Sequence, residues 1–122
     1  MQTSSFKIAA KHPRAVAISV GVPRWFRGRR FEALAPTRDM LKMPPGEYDL
    51  RFAEILSKLD PQKVWDELGE DAILLCWEKP GDPCHRRTVA AWFEEHLGKE
   101  VPELDPATFD KGMDNLFGND HK

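Results

Sequence analysis

Cysteine is scarce in this chain, two in 122 residues, so no disulfide framework is available and the fold must rest on its hydrophobic core. Long apolar runs are also missing. No segment approaches the roughly 20 apolar residues of a membrane-crossing helix. Residues 1–10 lack the apolar core of a secretion signal, so a reducing, cytoplasmic setting is expected. Charge of one sign does not dominate: 18 Lys and Arg stand against 20 Asp and Glu, a net charge of −2. That balance excludes a domain that holds nucleic acid by bulk positive charge alone. No internal repeat is visible.

What is present suffices for one core, since 41% of the residues are hydrophobic, and a chain of this length folds as one domain. The charge is unevenly placed. Residues 1–51 carry ten Lys or Arg against four Asp or Glu, and residues 52–122 carry eight against sixteen, so the halves stand at +6 and −8. Within the basic half, Arg24-Trp25-Phe26-Arg27-Gly28-Arg29-Arg30 interleaves four guanidinium groups with two aromatic rings. The pattern suits phosphate neutralisation with base stacking, and it also suits a solvated turn whose rings are hydrophobic anchors.

Residues 15–20, Ala-Val-Ala-Ile-Ser-Val, predict a buried strand stopped by Gly21 and Pro23. Residues 28–46, punctuated by Pro36, Pro44 and Pro45, read as a long excursion with one helical turn over residues 35–41. Phe52, Ile55, Leu56 and Leu59 share one face of a helix over residues 48–59, and Asp60-Pro61 opens a second helix that ends before Gly69. The apolar residues 72–76 predict another buried strand. Asp82-Pro83 then opens a helix that runs to about Leu97 and closes at Gly98.

Strands joined through helices return parallel. The expected fold is therefore α/β: a small parallel sheet flanked by helices in a Rossmann-like three-layer arrangement, one domain over residues 1–98. An acidic tail, residues 99–122, follows it, docked or partly mobile. Phe109, Met113, Leu116 and Phe117 there suit one short amphipathic helix, packed on the body or presented to a protein partner.

The densest chemistry lies between the last strand and the last helix, where Cys76, Glu78, Cys84, His85 and Arg86 gather within eleven residues. Cys84 falls in the first turn of its helix, where free N–H groups and the macrodipole favour a thiolate or a bound anion. Glu78 stands just past the strand, the place of a general base or a ligand contact in open α/β sheets. Cys84 and Glu78 are thus the catalytic candidates, and Ser19, Arg24, Cys76, His85 and Arg86 the ligand-binding ones. Each has a structural alternative: Glu78 paired with Arg86 or Arg87, Cys76 in the core, Cys84 as a small capping residue. A Cys76–Cys84 redox pair requires Cα atoms within about 7 Å. No metal is expected, because the spacing departs from Cys-x-x-Cys and only His12 or His96 remain to complete a site. No cofactor is called for.

The run Leu74-Leu75-Cys76-Trp77-Glu78, followed by Cys84-His85-Arg86 and Val89-Ala90-Ala91-Trp92, resembles the signature of the domain of unknown function 488 family. In that family a strand ending in Cys-x-Glu leads to Cys-His-Arg at a helix start. Ile18-Ser19-Val20-Gly21-Val22-Pro23-Arg24 and residues 34–48 look like a shorter branch of it, so the resemblance covers residues 15–98. It implies that Cys76, Glu78, Cys84, His85 and Arg86 form one cluster. Many members carry Asp-x-Arg after an early strand, a pair missing here at residues 20–24, where Arg24 is the candidate for an equivalent charge. The function expected is binding of a phosphate-bearing ligand, nucleotide or nucleic acid, at the carboxyl edge of the strands, with enzymatic activity left open. The alternative is a non-enzymatic protein-interaction module whose Cys-His-Arg cluster is structural.

Overall fold

A computed structural model of the chain describes residues 1–77 and 85–105. Its elements run β1 (Gln2–Ser5), α1 (Phe6–Ala9), β2 (Ala15–Ala17), β3 (Arg29–Arg30), α2 (Pro45–Ser57), α3 (Pro61–Leu68), β4 (Ile73–Cys76) and α4 (His85–Leu97). The four strands form one all-parallel sheet in the order β1-β4-β2-β3. This is the expected small parallel α/β sheet, with β2 and β4 side by side.

Alternation along the strands assigns the two faces. Val16 and Leu74 join a cluster with Phe52 and Leu56 of α2, Val64 and Trp65 of α3, and Val89 and Phe93 of α4. Ala15, Ala17, Ile73 and Leu75 face the other way, into a smaller cluster with Phe6 and Ala9 of α1, Phe26 and Leu104. Three helices thus cover one face, and a single helical turn with a loop covers the other. Among the described residues no helix is long and apolar enough to cross a membrane.

The capping of α3 performs as the sequence indicates, and the Asp82-Pro83 start expected for α4 lies outside the described residues. Asp60 accepts from the N–H groups of Gln62 (3.0 Å) and Lys63 (3.3 Å), satisfying first-turn donors of α3 beside Pro61. Gly69, with φ of 92°, ends that helix in a conformation that disfavours a Cβ. The α2 helix begins earlier than the apolar spacing implies, at Pro45, because proline fits a first helical position. In the proline-punctuated excursion, two 3₁₀ turns occupy Glu32–Leu34 and Arg38–Lys42.

Two strands depart from the sequence reading. β1 is Gln-Thr-Ser-Ser and β3 is Arg-Arg, and neither carries the apolar run that marks a buried strand. The predicted strand over residues 15–20 is also shorter, ending at Ala17. Ile18 still donates to the Leu75 carbonyl (2.9 Å), after which the chain turns away. Residues 102–104 add a further rung outside β1: Thr3 N–H donates to the Pro102 carbonyl (3.0 Å) and Leu104 N–H to the Thr3 carbonyl (2.8 Å). The beginning of the acidic segment is therefore docked on the sheet edge. The predicted helix around Phe109, Met113, Leu116 and Phe117 lies outside the described residues.

Candidate functional site

β1 and β4 are neighbours, in register with Ser5 opposite Cys76 and Thr3 opposite Leu74. The helices that follow them lie on opposite faces of the sheet. α1 packs on β1 and β4 from the side of the smaller cluster, and α4 packs on the same two strands from the larger. Adjacent parallel strands whose connections leave to opposite faces open a crevice at their carboxyl ends, the usual ligand position in such sheets. Here the carboxyl ends of the two strands meet at the Ser5–Cys76 pair.

Strand alternation directs Thr3 and Ser5 to the α4 face, with Leu74 and Cys76. The first turn of α4 brings His85 and Arg86 there, both 6% exposed. Arg86 donates from Nε to both Glu103 oxygens (3.1 and 3.2 Å) and from Nη2 to Glu103 Oε2 (2.8 Å), while its Nη1 donates to Cys76 Sγ (3.2 Å). Thr3 Oγ1 donates to Glu103 Oε1 at 2.6 Å and accepts from Arg87 Nη1 at 2.8 Å. Arg87 also holds the Val101 carbonyl (2.9 Å), and Val101 N–H donates to Glu94 Oε2 (2.9 Å). This charge-assisted network ties α4 to β1, β4 and residues 101–103. Burial would raise the Glu103 carboxyl; hydrogen bonds from Arg86 and Thr3, with the charges of Arg86 and Arg87, outweigh it and hold the group below its ordinary value.

His85 Nε2 lies 2.6 Å from the Ile18 carbonyl, and its ring stands edge-on to Phe52 with centroids 5.4 Å apart. A carbonyl only accepts, so Nε2 carries the proton. Burial pushes the imidazole below its ordinary value, Arg86 pushes the same way, and the Ile18 bond opposes them. His85 is thus a neutral tie between α4 and the end of β2.

Ser5 Oγ and Ser4 Oγ are fully buried and have no hydrogen-bond partner among the described residues. Ser4 faces the smaller cluster with Leu75 and Ser5 the α4 face with Cys76, by register. Two orphan hydroxyls in adjacent positions are uncommon, since buried polar groups are nearly always satisfied. Ser5 lies at the carboxyl end of β1, beside Cys76 of β4.

The structure brings Cys76, His85 and Arg86 together and ties Ser19 nearby. Ser19 is buried, its hydroxyl donates to the Gly21 carbonyl, and Trp77 Nε1 donates to the same carbonyl at 3.0 Å. Arg24 follows on an exposed loop and makes no hydrogen bond or ion pair among the described residues. Glu78 and Cys84 lie outside the described residues, as does any Cys76–Cys84 geometry. Among the described residues no group of three His, Cys, Asp or Glu could hold a metal ion.

Thr3, Ser5 and Glu103 are the residues that spacing did not reveal. Glu103 stands 17 residues beyond Arg86 and reaches it only because residues 102–104 return to β1. The run Thr3-Ser4-Ser5 before Phe6 offered no more than a polar stretch.

In the basic run, Phe26 is a buried anchor, edge-on to Phe6 with centroids 5.4 Å apart. Arg29 donates to the Leu68 and Glu67 carbonyls (2.9 and 3.0 Å), capping α3, and Arg30 donates to the Val20 carbonyl (3.4 Å). No family model, curated protein or solved structure matches this chain.

Proposed function

We propose that this protein binds a phosphate-bearing ligand of the nucleotide class at the carboxyl ends of β1 and β4. The observation that carries the reading is the buried Ser5 hydroxyl, without a partner among the described residues, at the point where the connections of neighbouring parallel strands part. The first-turn amides of α4 have no intrahelical acceptors and sit at the positive end of its dipole, which suits a phosphate oxygen. Arg24 is an exposed cation not otherwise engaged among the described residues. The resemblance to the domain of unknown function 488 family leads to the same strand–helix junction. Glu78 and Cys84 are the residues at which chemistry would take place, and a purely binding role needs neither.

One observation favours the alternative of a non-enzymatic module. Arg86 and Arg87 place their donors on Glu103, Cys76, Thr3 and Val101, as a structural cluster would. The Ser5→Ala variant separates the two. Removing a buried hydroxyl that has no partner among the described residues is expected to raise unfolding stability by up to about 1 kcal/mol. If these strand ends form a ligand site, Ser5→Ala also weakens the stabilisation that ATP or inorganic phosphate confers on wild type at low salt, by about tenfold in affinity for one lost charge-assisted hydrogen bond. Thermal unfolding with and without each ligand measures both. Undiminished binding by Ser5→Ala, or no stabilisation of wild type by either compound, refutes the site.

A further inference from the structure

At the other end of the sheet, Lys11, His12, Trp25, Arg27 and Gly28 line an open cleft of about 650 Å³. The basic run divides here. Phe26, Arg29 and Arg30 are spent on packing and on carbonyls, whereas Trp25 is 53% exposed and Arg27 and Lys11 make no hydrogen bond or ion pair among the described residues. The loop is held close. A Cβ on Gly28 would lie 2.5 Å from the Phe26 ring and 3.1 Å from the Ala15 carbonyl oxygen, so glycine permits the approach that sets Trp25 and Arg27 on either side of a buried anchor. Among the described residues no carboxylate lines the cleft.

We propose that this cleft is a second binding surface, for single-stranded nucleic acid, in which Trp25 stacks on a base while Lys11 and Arg27 neutralise the flanking phosphates. An exposed indole in a cleft with two cations unpaired among the described residues matches the composition of single-strand sites, where stacking and backbone charge act together. An acidic polypeptide would use the cations but not the ring. The volume falls in the range of small-ligand sites, room for a nucleotide-sized group rather than a duplex.

The test is fluorescence anisotropy of a labelled oligothymidylate titrated with the full chain at low salt. Trp25→Ala is expected to weaken binding about tenfold or more, and Trp25→Phe to retain most of it. The double variant Lys11→Ala/Arg27→Ala should lower the slope of log affinity against log salt by about 1.4, two phosphate contacts on a single strand. Ser5→Ala should leave oligonucleotide binding unchanged, and Trp25→Ala should leave the response to inorganic phosphate unchanged, so either site can fail alone. Absence of oligonucleotide binding, an unchanged Trp25→Ala affinity, or equal competition by polyglutamate overturns the proposal.

Discussion

Glu103→Ala is expected to destabilise the protein by about 3 kcal/mol, more than Arg86→Leu, at about 1–2 kcal/mol. The asymmetry follows from burial. The Arg86 side chain is 7% exposed and that of Glu103 38%, so removing the carboxylate deprives a buried guanidinium of its two-pronged partner. Removing the guanidinium leaves a carboxylate that water reaches and Thr3 still serves. Both figures sit at or below the usual 3–5 kcal/mol for a broken buried pair because of that solvent access. Urea unfolding at neutral pH measures them, and equal losses would contradict the assignment of Arg86 as the buried partner. The Glu103 carboxyl is held below its ordinary value of 4.5. Its contribution is therefore present above that value and lost as pH falls through the folded one, so wild type and Glu103→Gln should converge in acid.

His85→Leu is expected to cost about 2 kcal/mol, because it strips the Ile18 carbonyl of its imidazole donor in a buried setting. His85→Gln, able to donate from its amide, should recover part of the loss. The pH profile separates the roles. A folded imidazole held below its unfolded value of 6.5 gives its full stability above that pH and loses it as pH falls toward the folded value. His12, also lowered by burial and then by Arg14, acts in the same direction, so the comparison must be between wild type and His85→Gln. Between pH 7.5 and 5.5 wild type should lose more unfolding stability than the variant. Equal losses would show that His85 is protonated without cost in the folded protein.

The legible parts of the fold were those fixed by local physics. Apolar residues 72–76 read as a buried strand, and Asp60-Pro61 and Gly69 bounded a helix, because capping and burial of a contiguous run depend on near neighbours. β1 was illegible because its strand character comes from pairing with β4 and from residues 102–104, while its own residues are Gln, Thr and Ser. β3 was hidden for a similar reason: Arg29 and Arg30 lie beside β2 because Phe26 and Gly28 bring the loop close. At the site, the gathering of Cys76, His85 and Arg86 was readable from the strand–helix junction. The partner of Arg86 was not, since Glu103 depends on where the chain returns. That the Ser5 hydroxyl has no partner among the described residues emerges only once both faces of the sheet are covered.

Ser5, Cys76 and the first turn of α4 form the centre of this account, and amide chemical shifts of the nitrogen-labelled full chain titrated with ATP at low salt test it most directly. The largest shifts are expected at Ser5, Cys76 and residues 85–87, saturating with the same affinity that thermal stabilisation reports. Shifts confined to Lys11, Trp25 and Arg27, or none at all, would contradict a ligand site at the carboxyl ends of the strands.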